Sequence, residues 1–343
     1  MSIFRYSSAV AAAICLGAAL AACGTAASSA PTTASSSTPN TASAQRITIA
    51  GVFENTSDPF WTTIGCGAAA EGKLLGVTVK EFSTSTLSTS QVSADFSAAE
   101  QAHPDAIFSD LLTANQFITQ YKKLMAAGVP VIDGNPTTPA EQEAVLWSAP
   151  TTSTSSFLPA VLKLITNEHG DMAVLGGVPG LVPVDDRFVP LVSAIKAARP
   201  GLTVLPTEYS GFTTSVATQY VTATLLSHPD LKLIVVADGP DAAGVVSALQ
   251  AAHKAGKIEV IALDAIPPEV DALKTGAITA LLAQQPAVVG AEQVEALVNY
   301  VKSHKKGAVP PSASFTGVPQ VLITGANVNA PGESKYFYQT SCS

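Results

Sequence analysis

The 343-residue chain sets 18 lysines and arginines against 26 acidic residues, a formal charge of −8. No basic stripe is present to release phosphate counterions, so nucleic-acid binding is excluded as a function class. Hydrophobic residues make up 47% of the chain, its length is enough for two ordinary domains, and beyond the first 22 residues no stretch approaches the ~20 uninterrupted apolar residues of a membrane span.

The chain opens on a targeting segment. Arg5 supplies a positive start, and Ala9–Leu20 is a nearly unbroken apolar run of about a dozen residues, the length of a secretory core. Leu20-Ala21-Ala22-Cys23, followed by Gly24, resembles the lipobox of bacterial lipoproteins, in which the chain is cut before the cysteine and its sulfur acylated. The resemblance implies a signal peptide over 1–22, lipidation at Cys23, and a protein outside the cytoplasm, anchored to the outer face of the cytoplasmic membrane or in the periplasm. A plain signal peptide with an incidental cysteine is the alternative. Thr25–Ala44 is almost wholly Ala, Ser, Thr and Pro, so 23–45 forms a disordered tether that cannot build a core. Loss of 1–22 removes Arg5 and no acid, leaving 17 basic against 26 acidic groups, a formal −9. With Cys15 lost to the signal and Cys23 to lipid, Cys66 and Cys342 remain. An even pair in an oxidising compartment predicts a disulfide tying the tail to the first helix, with two free buried thiols as the alternative.

From Arg46 onward, short β-branched runs alternate with helical segments. Strands are predicted at Arg46–Phe53, Val77–Phe82, Asp105–Asp110, Val129–Asp133 and Val145–Ala149. The helices between them are Pro59–Leu75, closed by Gly76, then Gln91–Gln101 and Ala114–Ala127. A second series follows, with helices Phe157–Glu168, Asp186–Ala198, Val216–Leu226, Asp241–Ala255 and Pro268–Lys274. Its strands are Met172–Gly176, Thr203–Tyr209, Leu231–Ala237, Ile258–Leu263 and Ile278–Ala283. Helix Pro286–His304, a strand near Val318–Thr324 and an irregular tail complete the chain. Buried parallel strands joined by helices make this an α/β protein of two doubly wound parallel-sheet lobes, with the chain crossing between them more than once.

In open α/β sheets ligands sit beyond the carboxyl ends of strands. At or just after those ends stand Asp58, Asp110, Asp133, Asp238, Asp264 and Gln284. Such a set accepts hydrogen bonds from vicinal hydroxyls or from a cation. Phe60 and Trp61 offer flat faces for the C–H side of a sugar ring. Asp58 before Pro59 also suits a plain helix cap.

These residues carry a specific resemblance. Ile49–Trp61, ending Ser-Asp-Pro-Phe-Trp, is similar to the opening of the ribose-binding-protein family, the type I periplasmic sugar-binding proteins. Gly67-Ala68…Glu71…Leu75-Gly76 resembles that family's first helix, Ala126–Asp133 its fourth-strand motif, and Ile258–Asp264 its Val-Val-Gly-Phe-Asp segment. Ala280–Gln284 with Gly290 and Glu292 resembles the region around its late glutamine, and the likeness runs over about residues 46–325. It implies two lobes joined by a three-strand hinge, closing on a sugar-like ligand for an ABC transporter. The implied lobes are 46–148 with 285–308, and 149–284 with 309–325, leaving 326–343 as a tail. The implied ligand contacts are Asp58, Phe60, Trp61, Asp110, Asp133, Arg187, Asp238, Asp264 and Gln284.

This chain departs from the ribose pattern. Asp133-Gly134 stands where ribose binders carry Asp-Arg, and Asp110 and Asp238 stand where they carry Asn. The site has gained acid and lost a base, which favours a polyol, a sugar or an amino sugar over a phosphate or carboxylate. The expected role is a non-enzymatic solute receptor without cofactor or metal, a monomer whose partners are a small polyhydroxylated ligand and an ABC permease. A receptor feeding a membrane sensor or chemoreceptor shares the fold. A carbohydrate-active enzyme is a further alternative, although no Gly-x-Ser-x-Gly elbow, Walker loop or Gly-x-Gly-x-x-Gly helix opening is present. The five histidines stand singly, without metal-ligand spacing.

Overall fold

The computed structural model describes residues 46–86, 88–111, 114–134, 144–148, 156–304, 314–315 and 320–342. Cys23 and the 23–45 tether lie outside the described residues. In the first sheet, strands β1 (Thr48–Phe53), β2 (Thr78–Ser83), β3 (Ala106–Asp110), β4 (Val131–Asp133) and β5 (Leu146–Ser148) are joined in parallel. Among the described residues its order is β11-β5-β4-β3-β1-β2, with β11 spanning Ser314–Phe315. The second sheet, in the order β12-β10-β9-β8-β6-β7, comprises β6 (His169–Leu175), β7 (Gly201–Val204), β8 (Leu231–Val236), β9 (Glu259–Leu263), β10 (Ala280–Ala283) and β12 (Val321–Thr324). Each sheet places its first strand between its second and third, which puts a topological switch point at β1/β3 and at β6/β8.

Local chemistry fixes the first helix, α1 (Pro59–Leu75). Pro59 pre-sets its first turn, and Gly76 ends it at φ 71°. The Val77 N–H donates to Gly72 O at 2.9 Å and the Gly76 N–H to Lys73 O at 3.4 Å, closing the last carbonyls. Helices α2 (Thr89–Gln101) and α3 (Ile118–Ala126) follow, α3 being preceded by a 3-10 turn at Ala114–Phe117. The second series contributes α4 (Leu158–Leu164), α5 (Val182–Ala198), α6 (Thr214–Ser227), α7 (Gly239–Ala251) and α8 (Pro267–Lys274). Helix α9 (Pro286–Ser303) leaves β10 of the second sheet and buries Val294, Leu297 and Val298 in the core of the first. It lies hard against α1, where a Cβ on Gly67 would fall 1.9 Å from Ala287 O and one on Gly290 2.1 Å from Ile64 O. Along β8, Ile234 and Val236 face one core of the second lobe while Leu233 and Val235 face the other, the alternation of a strand covered on both sides.

Several expectations need correction. Residues 309–325 do not all belong with the second lobe: Ser314–Phe315 pairs in parallel with β5 of the first sheet, and only β12 joins the second. That edge strand is antiparallel to β10, so the second sheet is not purely parallel. The strand expected over Thr203–Tyr209 stops at Val204, because Pro206 has no N–H for the ladder; Glu208 returns as an isolated bridge to Leu175. Helix Phe157–Glu168 is shorter, ending at Leu164.

Candidate functional site

The first lobe brings Asp58 and Phe60 from the start of α1. Asp58 holds an extended backbone (φ −88°, ψ 125°), and its Oδ1 accepts from the Phe60 N–H at 3.0 Å. The cap role therefore holds. The carboxyl has a second property: burial pushes its pKa from 3.8 to about 6, the Phe60 N–H opposes the rise, and the charge of Asp264 on the other lobe adds to it. Phe60 packs on the cores of both lobes, with its ring 5.9 Å from that of Tyr338. Trp61 lies deeper than Phe60. It is 4% exposed, lies in the first core and meets the Phe60 ring edge-on at 4.9 Å, so it backs Phe60.

Asp110 ends β3 in register with Phe53 of β1; its side chain lies outside the described residues. Asp133 ends β4, fully buried. Tyr121 of α3 donates its hydroxyl to Asp133 Oδ2 at 3.2 Å and stands 3.1 Å from the Ser109 hydroxyl.

The second lobe supplies the denser cluster. Asp238 caps α7, its Oδ1 accepting from the Asp241 N–H at 2.9 Å. Its Oδ2 is buried and has no hydrogen-bond partner among the described residues. Burial drives the Asp238 carboxyl well above its usual range, with Asp241, Asp264 and Asp58 pushing the same way and the Asp241 N–H opposing. Asp241, also buried, accepts from the Ser210 hydroxyl. Gly177, at φ 69°, brings the turn after β6 close in, where a Cβ would lie 3.0 Å from Asp238 Oδ2.

Asp264, after β9, sits at φ 88°, a conformation few non-glycine residues hold, and is only 7% exposed. Its Oδ1 accepts from Arg187 Nη1 and from the Tyr338 hydroxyl, each at 3.2 Å. Arg187 stands on α5, and the ion pair it makes is largely buried. Gln284 lies on the crossover between β10 and α9, where its backbone N–H donates to the Tyr338 oxygen at 3.1 Å. Glu269 on α8 is fully buried; its Oε2 accepts from the Ile266 N–H at 2.9 Å, while Oε1 has no partner among the described residues. Burial and then the charge of Asp264 hold its carboxyl far above the usual range.

Asp58, Asp238 and Glu269 thus each feel the charge of Asp264, with Arg187 as the cation that answers it. Such an arrangement offers carboxylate acceptors to hydroxyl or ammonium donors and opposes added negative charge. Asp241, Glu269 and Tyr338 were not among the sequence candidates. The aromatic run Tyr336-Phe337-Tyr338 close to Cys342 was the available signal for the last. Cys66 and Cys342 are joined as a disulfide. Among the described residues no group of three or more His, Cys, Asp or Glu is disposed to hold a metal ion, and no helix is long and apolar enough to cross a membrane.

Residues 49–306 match the family described as "Periplasmic binding protein domain". A D-allose-binding periplasmic protein of Escherichia coli strain K12 is 24% identical over 285 residues, 80% of this chain and 91% of that protein. Among solved structures, an ABC transporter solute binding protein from Agrobacterium vitis, bound with alpha-D-tagatopyranose, is similar with a TM-score of 0.74 and 24% identity, covering 86% of this chain and all of that one. One from Bacillus halodurans with bound myo-inositol gives a TM-score of 0.70 at 21% identity, covering 85% of this chain and 99% of that one.

Proposed function

Because the chain belongs to the periplasmic binding protein family, we propose that it captures a small neutral sugar, polyol or amino sugar between its lobes and delivers it to an ABC importer. The family is one of substrate-binding proteins that work outside the cytoplasm, and not of enzymes. In this reading Asp58, Phe60, Asp110, Asp133, Arg187, Asp238, Asp264 and Gln284 surround the ligand, with Trp61 supporting the Phe60 ring. The observation that carries it is that acids of both lobes, Asp58 of the first and Asp238 and Asp264 of the second, interact electrostatically while Phe60 packs on the cores of both. Hydroxyl donors of a ring or polyol satisfy such acceptors, and the apolar ring face packs on an aromatic one. The D-allose, tagatopyranose and myo-inositol of the similar proteins are all neutral and polyhydroxylated, consistent with this chemistry. Cys23 carries the lipid that keeps the receptor beside its permease, and the protein acts as a monomer.

A thermal-shift screen over neutral pentoses, hexoses, short polyols, amino sugars and sugar phosphates tests the ligand class, since binding to the native state raises the melting temperature. The reading predicts hits among neutral or amino compounds. Hits confined to sugar phosphates or sugar acids contradict it.

A further inference from the structure

The C-terminal segment runs from one lobe to the other within a few residues. Tyr336, Phe337 and Tyr338 pack on a core of the second lobe, and the Tyr338 N–H donates to Ala265 O at 2.9 Å. One residue on, the partners change lobe. The Gln339 N–H donates to Thr63 Oγ1 at 2.6 Å, and Cys342 is bonded to Cys66, both partners lying on α1. Cys66 adjoins Gly67, the point where α1 presses on Ala287 at the start of α9. The segment therefore lies beside the crossover from β10 to α9. Within it one hydroxyl joins two parts of the site: Tyr338 Oη donates to Asp264 Oδ1 at 3.2 Å and accepts from the Gln284 N–H of that crossover at 3.1 Å.

We propose that Tyr338 is a positioning residue of the ligand site, held there by a C-terminal strap that the Cys66–Cys342 bond fastens across the two lobes. Asp264 keeps a left-handed backbone and shares one carboxylate oxygen between Arg187 and Tyr338, so the tyrosine sets which way the other oxygen faces. Core packing and the Ala265 carbonyl hold Tyr338 on the second lobe, and the disulfide keeps the far end of the strap on α1, so the strap spans the lobes as they open and close. Reduction frees the strap's end, leaving Gln339 and Tyr338 held by hydrogen bonds and packing alone. Naming Asp264 a ligand residue rests on the ligand-capture reading; the strap and its first test need no ligand.

Hydrogen exchange followed by fragment mass spectrometry on the full chain without ligand is the test. Tyr338→Phe removes the hydroxyl alone and is expected to speed exchange at the Gln284 N–H while β8 and β9 keep their protection. Cys342→Ser is expected to speed exchange at both Gln339 and Gln284. Unchanged exchange at Gln284 in both variants overturns the proposal, as does a rise spread evenly over the core strands, which marks general loosening. A second arm uses D-allose, or whichever neutral sugar shifts the melting temperature most. Tyr338→Phe should weaken its binding about tenfold; unchanged affinity overturns the positioning role, whether or not the melting temperature moves. If no sugar binds the wild type, the ligand reading fails and the exchange arm alone decides the strap.

Discussion

Asp58 caps a helix of the first lobe, and its carboxyl feels the negative charge of Asp264, which follows β9 of the second. Two acids that repel across separate lobes are costly unless a proton, a cation or a set of hydroxyl donors offsets the repulsion.

That cost gives the unliganded protein an uncommon pH dependence. Burial, with Asp264 adding, raises Asp58 from 3.8 to about 6 against the Phe60 N–H, so the folded chain binds this proton more tightly than the unfolded one. Between those values the folded state carries more protons, and the free energy of unfolding falls as pH rises. Asp238, Asp241 and Glu269 are displaced in the same direction, chiefly by burial. The ligand-free melting temperature is therefore predicted to be higher near about pH 5 than near about pH 7, and Asp58→Asn should reduce the difference. A scan showing the reverse slope contradicts the assignment.

Affinity for a neutral sugar should move the other way. A hydroxyl donor prefers the ionised carboxylate, so binding weakens as pH falls below about 6, where Asp58 takes up its proton. Calorimetric titration at several pH values reads this, and Asp58→Asn should flatten the profile.

Removing the central acceptor should be severe. Asp264→Ala deletes the partner of Arg187 and of the Tyr338 hydroxyl, and Asp133→Ala that of Tyr121. Hydrogen bonds to charged groups contribute ~1.5–3 kcal/mol, so each variant should bind at least about tenfold more weakly. Unaltered affinity in both would place the ligand elsewhere.

The anchor is separable from the site. Cys23→Ser should release the protein from the membrane fraction while sugar binding is retained; a variant that stays membrane-bound to the same extent contradicts lipidation at that residue.

How much of this was legible follows from the range over which each feature is determined. The ends of α1 could be read directly, because Asp58-Pro59 and Gly76 act within a turn of the residues they cap. The acids at the strand ends could be read because topology puts them on one edge. Asp241 and Glu269 could not: in sequence they resemble first-turn acids serving the helix dipole, and only full burial makes them part of the electrostatics of the site. Phe60 and Trp61 looked equivalent, but neighbours on a helix point ~100° apart, so Phe60 packs on both lobes while Trp61 turns into the core. Tyr338 was hidden because its hydroxyl partners stand at 264 and 284, far away along the chain. The Cys66–Cys342 link was expected from compartment and parity, whereas its course beside the crossover depends on the packing of α1 on α9.

In the proposed reading the ligand is held between the lobes, with Asp58 on one side and Asp264 on the other. Small-angle scattering of the chain with and without the strongest-binding neutral sugar tests it most directly, because contacts made only in the closed form shift the hinge equilibrium toward it. The prediction is a smaller radius of gyration at saturating sugar in the wild type, and in Asp264→Ala the same change only at sugar concentrations at least about tenfold higher. An unchanged wild-type radius with the sugar demonstrably bound would contradict capture between the lobes.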